Sequence, residues 1–326
     1  MKDGFGREIN YLRLSLTDRC NLRCVYCMPM HGLTFIPSPE LLTALELEKV
    51  VQAAVEAGFN KVRLTGGEPT LRQDIVEIVR RLANIDGLEQ LVMTTNGYRL
   101  PHIAQELAEA GLKRVNIHVD SLNPDSIARI MRLGSLDKAW AGIEAAERAG
   151  LTPIKLNTVI TRGYNDNAAV DLARLTLTKP WQIRFIELMP FGGPTEIQLE
   201  HYVASDEVKG WIEQELGPLF PLNNGHLDGE ARMYRLGGAE GTIGFISPVS
   251  NPYCDDCNRM RVTADGRLRL CLLSEQEINF RDTLRNGGSQ QELVELFKLA
   301  IQRKPVGHQL KNGHFAENRT MSQIGG

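Results

Sequence analysis

Six short strand-like runs, each followed by a stretch with helical apolar spacing, occupy the first 190 residues and leave few folds open. The runs are YLRLSL (11–16), KVRLT (61–65), LVMTT (91–95), RVNIHVD (114–120), IKLNTVI (154–160) and QIRFIEL (182–188). Their β-branched, partly alternating composition marks strands. The first helical stripe runs through Val50, Val51, Ala54 and Val55; Thr43-Ala-Leu-Glu46 reads as a capping box ahead of it, and Gly58 ends it. Further helices are read at 74–85, 103–110 and 167–177, with two short ones between the fourth and fifth strands. Alternation of this kind gives a parallel sheet with right-handed crossovers. Two α/β forms satisfy it: an open doubly wound sheet and an incomplete (β/α) barrel.

Charges inside the strands favour the barrel. Arg13, Arg63, Lys155 and Arg184 each sit mid-strand. Parallel strands covered by helices are normally apolar on both faces. A mid-strand cation is tolerated where its face opens on a polar lumen, or at a strand edge in an ion pair. Four such cations on four strands point to a lumen. Residues 195–245 are less periodic, with a helix near 206–215 and a polar loop, NNGHLDGE, at 223–230. IGFISP (243–248) then leads into a last region, so the chain is divided into a partial barrel, 1–242, and a C-terminal region, 243–326.

The composition of the 326 residues, 42% hydrophobic and 24% charged, is that of an ordinary soluble globular protein. A net charge of −3 argues against general nucleic-acid binding. No apolar run approaches membrane-spanning length, and the N-terminus has no apolar core of a signal peptide. A cytoplasmic protein is expected. In that setting clustered cysteines bind metal or do redox work rather than form disulfides.

The six cysteines fall into two groups of three. Cys20, Cys24 and Cys27, spaced C-x3-C-x2-C, follow the first strand, the end at which barrel enzymes place their chemistry. Three such thiolates hold three irons of a 4Fe–4S cube and leave the fourth iron open; with a remote fourth ligand they would instead form a zinc knob. Cys254, Cys257 and Cys271 lie about 226 residues further on, spaced C-x2-C-x13-C. Asp265-Gly266 reads as a two-residue hairpin turn. Positions summing to 531 then pair, and Cys271 faces Met260 near Cys257. Arg259 and Arg261 share one phase of that hairpin and project to one side, with Arg267 and Arg269 on the return strand.

Cys20-x3-Cys24-x-Tyr26-Cys27 after an N-terminal strand resembles the signature of the radical S-adenosylmethionine (SAM) enzymes, and Gly66-Gly67-Glu68-Pro69 after the second strand strengthens the match. Two three-cysteine groups, Asn258-Arg259-Met260-Arg261 and a Gly325-Gly326 end are together similar to the GTP 3′,8-cyclase family, which acts in molybdenum cofactor biosynthesis. The resemblance spans nearly the whole chain. It implies an incomplete (β/α)6 barrel closed by a C-terminal cluster-binding region, two 4Fe–4S clusters, and SAM. Cys20, Cys24 and Cys27 match the ligands of the SAM cluster; Cys254, Cys257 and Cys271 match those of a second cluster whose open iron binds guanine. Tyr26, Gly67, His118 and Met189 match SAM-contacting positions, although the family often has Ser where His118 stands, and a His satisfied in the barrel wall is an equal reading. The glycines of the Gly66-Gly67 pair are expected to let backbone approach the ligand.

Arg13, Arg63, Thr94, Lys155, Arg259, Met260 and Arg261 match GTP-contacting positions, with Arg184 a further candidate. Arg259, Arg261, Gly325 and Gly326 are the implied catalytic residues. A deoxyadenosyl radical would take the C3′ hydrogen of GTP, and the C3′ radical would close on C8. A triphosphate needs several Arg and Lys donors, which the lumen cations provide. The family is commonly a homodimer, draws electrons from a reductant such as flavodoxin, and passes its product to cyclic pyranopterin monophosphate synthase. Two other readings stand beside this one: a radical SAM peptide or protein maturase with an auxiliary cluster, and a two-cluster electron carrier. A zinc-stabilised scaffold is a third.

Overall fold

The structure is a computed structural model and describes residues 1–190, 199–223, 226–310 and 316–325. All six expected strands form: β1 (Tyr11–Ser15), β2 (Lys61–Thr65), β3 (Gln90–Thr95), β4 (Arg114–His118), β5 (Lys155–Ile160) and β6 (Gln182–Glu187). They pair in sequence order, each parallel to the next. The helices between them are α1 (Ala44–Glu56), α2 (Ile75–Ala83), α3 (Leu100–Glu109), α4 (Pro124–Ile130), α5 (Leu136–Arg148) and α6 (Ala168–Arg174). The capping box of α1 is present: Glu46 N–H donates to Thr43 Oγ1 at 3.2 Å, and the Glu46 carboxylate accepts from Thr43 N–H at 2.8 Å.

The remaining elements are α7 (Ser205–Leu216), β7 (Leu219–Pro221), β8 (Leu227–Asp228), β9 (Ala231–Leu236), β10 (Thr242–Ile246), β11 (Arg259–Val262), β12 (Arg267–Arg269), β13 (Glu277–Asn279), α8 (Arg281–Arg285) and α9 (Gln290–Arg303). Two of these strands extend the parallel sheet: β11 lies beside β1, and β10 beside β6. Antiparallel strands then flank both edges, so the described sheet runs from β13 to β7 without closing on itself. This is a partial barrel lengthened at the β1 edge by the C-terminal region and at the β6 edge by β10, β9 and β7.

Alternation sorts the side chains by face. Leu12, Leu14, Val62, Leu64, Leu91, Met93, Val115 and Ile117 point outward into one apolar core shared with the helices. Arg13, Arg63, Thr94, Asn116, His118, Asn157 and Arg184 point the other way and line a cavity. Register places them in rows, with Arg261, Arg13 and Arg63 abreast on three neighbouring strands.

The hairpin differs from the expected one. Arg261 pairs with Arg269 and Val262 with Leu268, so paired positions sum to 530. The turn is a three-residue loop: Gly266 N–H donates to the Thr263 carbonyl at 2.9 Å, and Gly266 has φ +78°. Cys271 therefore does not face Met260; it lies beyond the end of β12.

α5 touches the loop after β3 with no room to spare. A Cβ on Gly142 would lie 2.2 Å from the Gly97 carbonyl oxygen. Gly142→Ala is therefore expected to lower stability by about 1–3 kcal/mol through overpacking, seen as a lower urea midpoint with an unchanged slope. An unchanged midpoint would show that the loop gives way freely.

Candidate functional site

The first cysteine group sits in a loop that the second βα loop grips from behind. Gly67 N–H donates to the Thr17 carbonyl at 2.7 Å, and Glu68 N–H to the Arg19 carbonyl at 2.8 Å. A Cβ on Gly66 would fall 2.5 Å from Thr17 O, and one on Gly67 would fall 2.3 Å from Arg19 O. The glycines thus permit a backbone-to-backbone approach between two loops, while both also border the cavity. The buried Glu68 carboxylate accepts from Thr70, Thr95 and the Asn96 N–H, tying the loop after β2 to the one after β3.

Cys20, Cys24 and Cys27 all line the cavity. Burial pushes the Cys20 thiol up to about 11 and the Cys27 thiol to about 12. Burial likewise raises Cys24, and the nearby Asp120, Cys27 and Cys20 add to it. Three soft donors that resist ionisation alone suit a positively charged iron centre, which stabilises the thiolates. Among the described residues no three His, Cys, Asp or Glu side chains close around one point as the ligands of a single ion do. A four-iron cube instead takes each thiolate on a different iron.

Beside this group Asp120 organises Tyr26 and His118. Its Oδ2 accepts from Tyr26 O–H at 2.7 Å and lies 2.8 Å from His118 Nε2, and its Oδ1 accepts from Val159 N–H at 2.9 Å. Tyr26 O–H and His118 Nε2 are also in contact. His118 Nε2 is satisfied within the wall, and its ring borders the cavity. Gly67 and Met189 border it too.

The cations gather at the other end. Arg13, Arg63, Arg184 and Arg261 line the cavity, and Arg63 Nη1 donates to Thr94 Oγ1 at 3.1 Å. Tyr11 lies beneath them, with Lys61 Nζ 4.5 Å from its ring centre and the Arg63 and Arg259 guanidinium carbons at 5.9 and 5.8 Å. Two carboxylates that sequence reasoning passed over enter here, Asp228 at the end of β8 and Glu230 in the turn that follows. Glu230 lies 3.1 Å from Arg259 Nε and 3.6 Å from Arg13 Nη1; Asp228 lies 3.3 Å from Lys155 Nζ and 3.4 Å from Arg184 Nη2. Burial acts to raise the Glu230 carboxyl, but Arg259, Arg13, Arg63 and Arg184 outweigh it and hold it well below the usual range. Burial and the adjacent Arg13 push Arg261 down to about 9. Burial and Arg184 push Lys155 down to about 7, with Asp228 opposing.

The second cysteine group flanks this cationic end. Cys254 lies close enough to Cys271 and Cys257 for their charges to raise its thiol, after burial. Tyr253 and Leu272, each next to one of these cysteines, line the cavity. Arg261 Nη1 donates to the Gly325 carbonyl at 2.9 Å, so the chain's end reaches the cavity. Gly325 is pressed between strands: a Cβ there would lie 2.4 Å from Thr65 Oγ1. Gly326 lies outside the described residues. The Met260 side chain does not join the site; alternation turns it into the apolar core, 1% exposed, so only its backbone is left to face a ligand. Asn116 Oδ1 and Asn157 Oδ1 are buried on the cavity wall without a partner, acceptors suited to a bound donor.

Comparison with known proteins covers both ends of this cavity. A model described as Radical SAM superfamily matches residues 14–176, and one described as Molybdenum Cofactor Synthesis C matches residues 181–310. The chain is similar to a GTP 3′,8-cyclase of Pelotomaculum thermopropionicum, 48% identical over 326 residues, 100% of each chain. A GTP 3′,8-cyclase of Moorella thermoacetica is 47% identical over the same extent. Among solved structures, Streptococcus suis SuiB bound to S-adenosylmethionine shares the fold, with a TM-score of 0.60 at 12% identity, covering 93% of this chain and 76% of that one.

Lys155 gives a test of the cavity's electrostatics. A Lys held at about 7 is mostly neutral at a pH of ~8, and a bound polyanion favours its charged form. Binding of inorganic tripolyphosphate at a pH of ~8 is therefore expected to take up about one proton more in the unmodified chain than in Lys155→Met, and at a pH of ~6 to show almost no such difference. Calorimetry in two buffers of different ionisation heat reads this, and comparing the two chains cancels the ligand's own titration. Equal proton counts for the two chains at the higher pH would overturn the assignment.

Proposed function

The chain belongs to the radical SAM superfamily and within it to the GTP 3′,8-cyclase family, and from that premise we propose how its residues divide the work. It is an enzyme of molybdenum cofactor biosynthesis that cyclises GTP. The observation that carries the assignment of roles is the row Arg261–Arg13–Arg63, set in one cavity between two cysteine groups.

Cys20, Cys24 and Cys27 would hold the SAM cluster, and Cys254, Cys257 and Cys271 a second one. When bound, the clusters and SAM supply one-electron chemistry and a carbon radical that abstracts hydrogen. The chain's own part is to bind, orient and enclose. Tyr26, Gly67, His118 and Met189 border the SAM end, with Asp120 fixing the Tyr26 and His118 rings. Arg13, Arg63, Thr94, Lys155 and Arg184 receive the triphosphate, whose oxygens replace Asp228 and Glu230 as partners. Arg259 and Arg261 hold the nucleoside next to the second cysteine group. The enclosed wall keeps water from the reacting carbon.

Residues 1–242 form the barrel part of this division and 243–326 the closing part. From the family we also infer a cytoplasmic homodimer that takes electrons from a reductant protein such as flavodoxin and hands its product to cyclic pyranopterin monophosphate synthase. No helix among the described residues is long and apolar enough to cross a membrane.

The direct test mixes anaerobically reconstituted, reduced protein with SAM and GTP. The expected products are 5′-deoxyadenosine and a cyclised isomer of GTP; deoxyadenosine without the isomer would mean another substrate, as in a maturase. Removing Gly325 and Gly326 tests the tail separately. Cyclisation should be lost while the iron content stays that of the full chain, because the Arg261–Gly325 contact is gone and no cysteine is touched. Full activity after truncation would overturn a role for the tail.

A further inference from the structure

The stretch Lys304-Pro305-Val306-Gly307-His308 follows α9 and lies outside every motif used so far. All five of its residues are bonded to, or packed against, the framework around the second cysteine group. Lys304 Nζ donates to the Arg259 carbonyl at 2.7 Å and to the Leu270 carbonyl at 2.9 Å. It thus bridges the two arms of the hairpin, two residues after Cys257 and one before Cys271. The Pro305 and Val306 carbonyls accept from Arg7 at 2.7 Å each, and Arg7 Nη1 also donates to the Cys254 carbonyl at 2.8 Å. Gly307 packs on Cys254: a Cβ there would lie 3.1 Å from its Sγ. The His308 backbone bonds to Cys254, and its ring nitrogen lies 2.9 Å from the Pro248 carbonyl.

Lys304 is only 3% exposed, and no carboxylate among the described residues lies within ion-pair distance of it. A buried cation without a counter-charge is costly, and carbonyls meet only part of its demand. The remaining negative charge within reach is that of the cysteines. The two carbonyls that Lys304 holds stand two residues after Cys257 and one before Cys271, which sets the ammonium beside that group.

We propose that Lys304 is a positioning residue for the second cluster: its ammonium ties together the arms that carry Cys257 and Cys271, and its uncompensated charge raises that cluster's reduction potential. Positive charge and N–H donors near the sulfurs are established ways in which a protein sets such potentials. The inference rests on reading Cys254, Cys257 and Cys271 as cluster ligands.

The experiment uses the full chain, reconstituted anaerobically, with iron and sulfide counted and each cluster followed by electron paramagnetic resonance during a potentiometric titration. The unmodified chain should hold two clusters. Should it hold one, the reading of the second cysteine group fails before any variant is made. Lys304→Gln keeps a donor and removes the charge, so the second cluster's potential should move negative while the first stays put. Lys304→Arg should restore it. Lys304→Met removes both functions and should loosen the second cluster, giving a loss of iron from that site alone. Two clusters with unshifted potentials in Lys304→Gln and full iron in Lys304→Met would overturn the proposal.

Discussion

The register between β11, β1 and β2 is the constraint on which the rest of this molecule depends. It puts Arg261, Arg13 and Arg63 side by side on the inner face of three parallel strands. Each guanidinium loses hydration there and repels its neighbours, a burden of several kcal/mol per ion unless it is offset. The offsets are local and specific. Tyr11 lies beneath two arginines and a lysine, and its O–H accepts from Arg63. Glu230 bridges Arg13 and Arg259. Asp228 does the same for Lys155 and Arg184. The sheet tolerates the row because the β8–β9 hairpin supplies the anions.

A cavity that is already ion-paired binds a polyanion by exchange. What counts is the difference between phosphate oxygens and the carboxylates they replace, not the raw attraction of bare cations. A triphosphate can satisfy in one ligand what Asp228 and Glu230 satisfy from one hairpin. Lys155 adds a proton to the exchange, since burial and the neighbouring Arg184 push it down and Asp228 only partly opposes them. The same pairing offsets the repulsion among the cavity's cations when no ligand is bound. Charge balance here is a property of fold and ligand together.

Much of this was legible in the sequence, because its signals are local. Strand period placed Arg13, Arg63 and Arg184 in a lumen, and the cysteine spacing marked both ends of it. What escaped was set by tertiary geometry. Asp228 and Glu230 sit in a polar loop with no periodicity, and nothing local says that it folds over distant cations. The hairpin slipped by one position because Asp265-Gly266 suggests a two-residue turn, whereas Ala264 joins the loop and Gly266 takes the left-handed conformation. That slip moved Cys271 away from Met260. The Gly66-Gly67 pair was legible, but its second contact was not: the atoms a Cβ would crowd are the Thr17 and Arg19 carbonyls, which no spacing rule reveals. Asp120 lay in a strand that had been read, but its bond to Tyr26 crosses 94 positions.

The two cysteine groups share a composition but not a setting. Glu68 raises the Cys20 thiol and Asp120 raises Cys24, both adding to burial. At Cys257 burial acts the same way, yet Lys304, Arg259 and Arg7 reverse the outcome. Negative neighbours disfavour an added electron and positive neighbours favour it. Acids thus stand beside the first cysteine group and cations beside Cys257, while Cys254 stays raised by burial and its neighbouring cysteines. The cations come from elements that also hold the region together, the N-terminal Arg7 and the residue following α9. The hydrogen bonds of Lys304 that hold the hairpin also bring its charge beside the arms that carry Cys257 and Cys271.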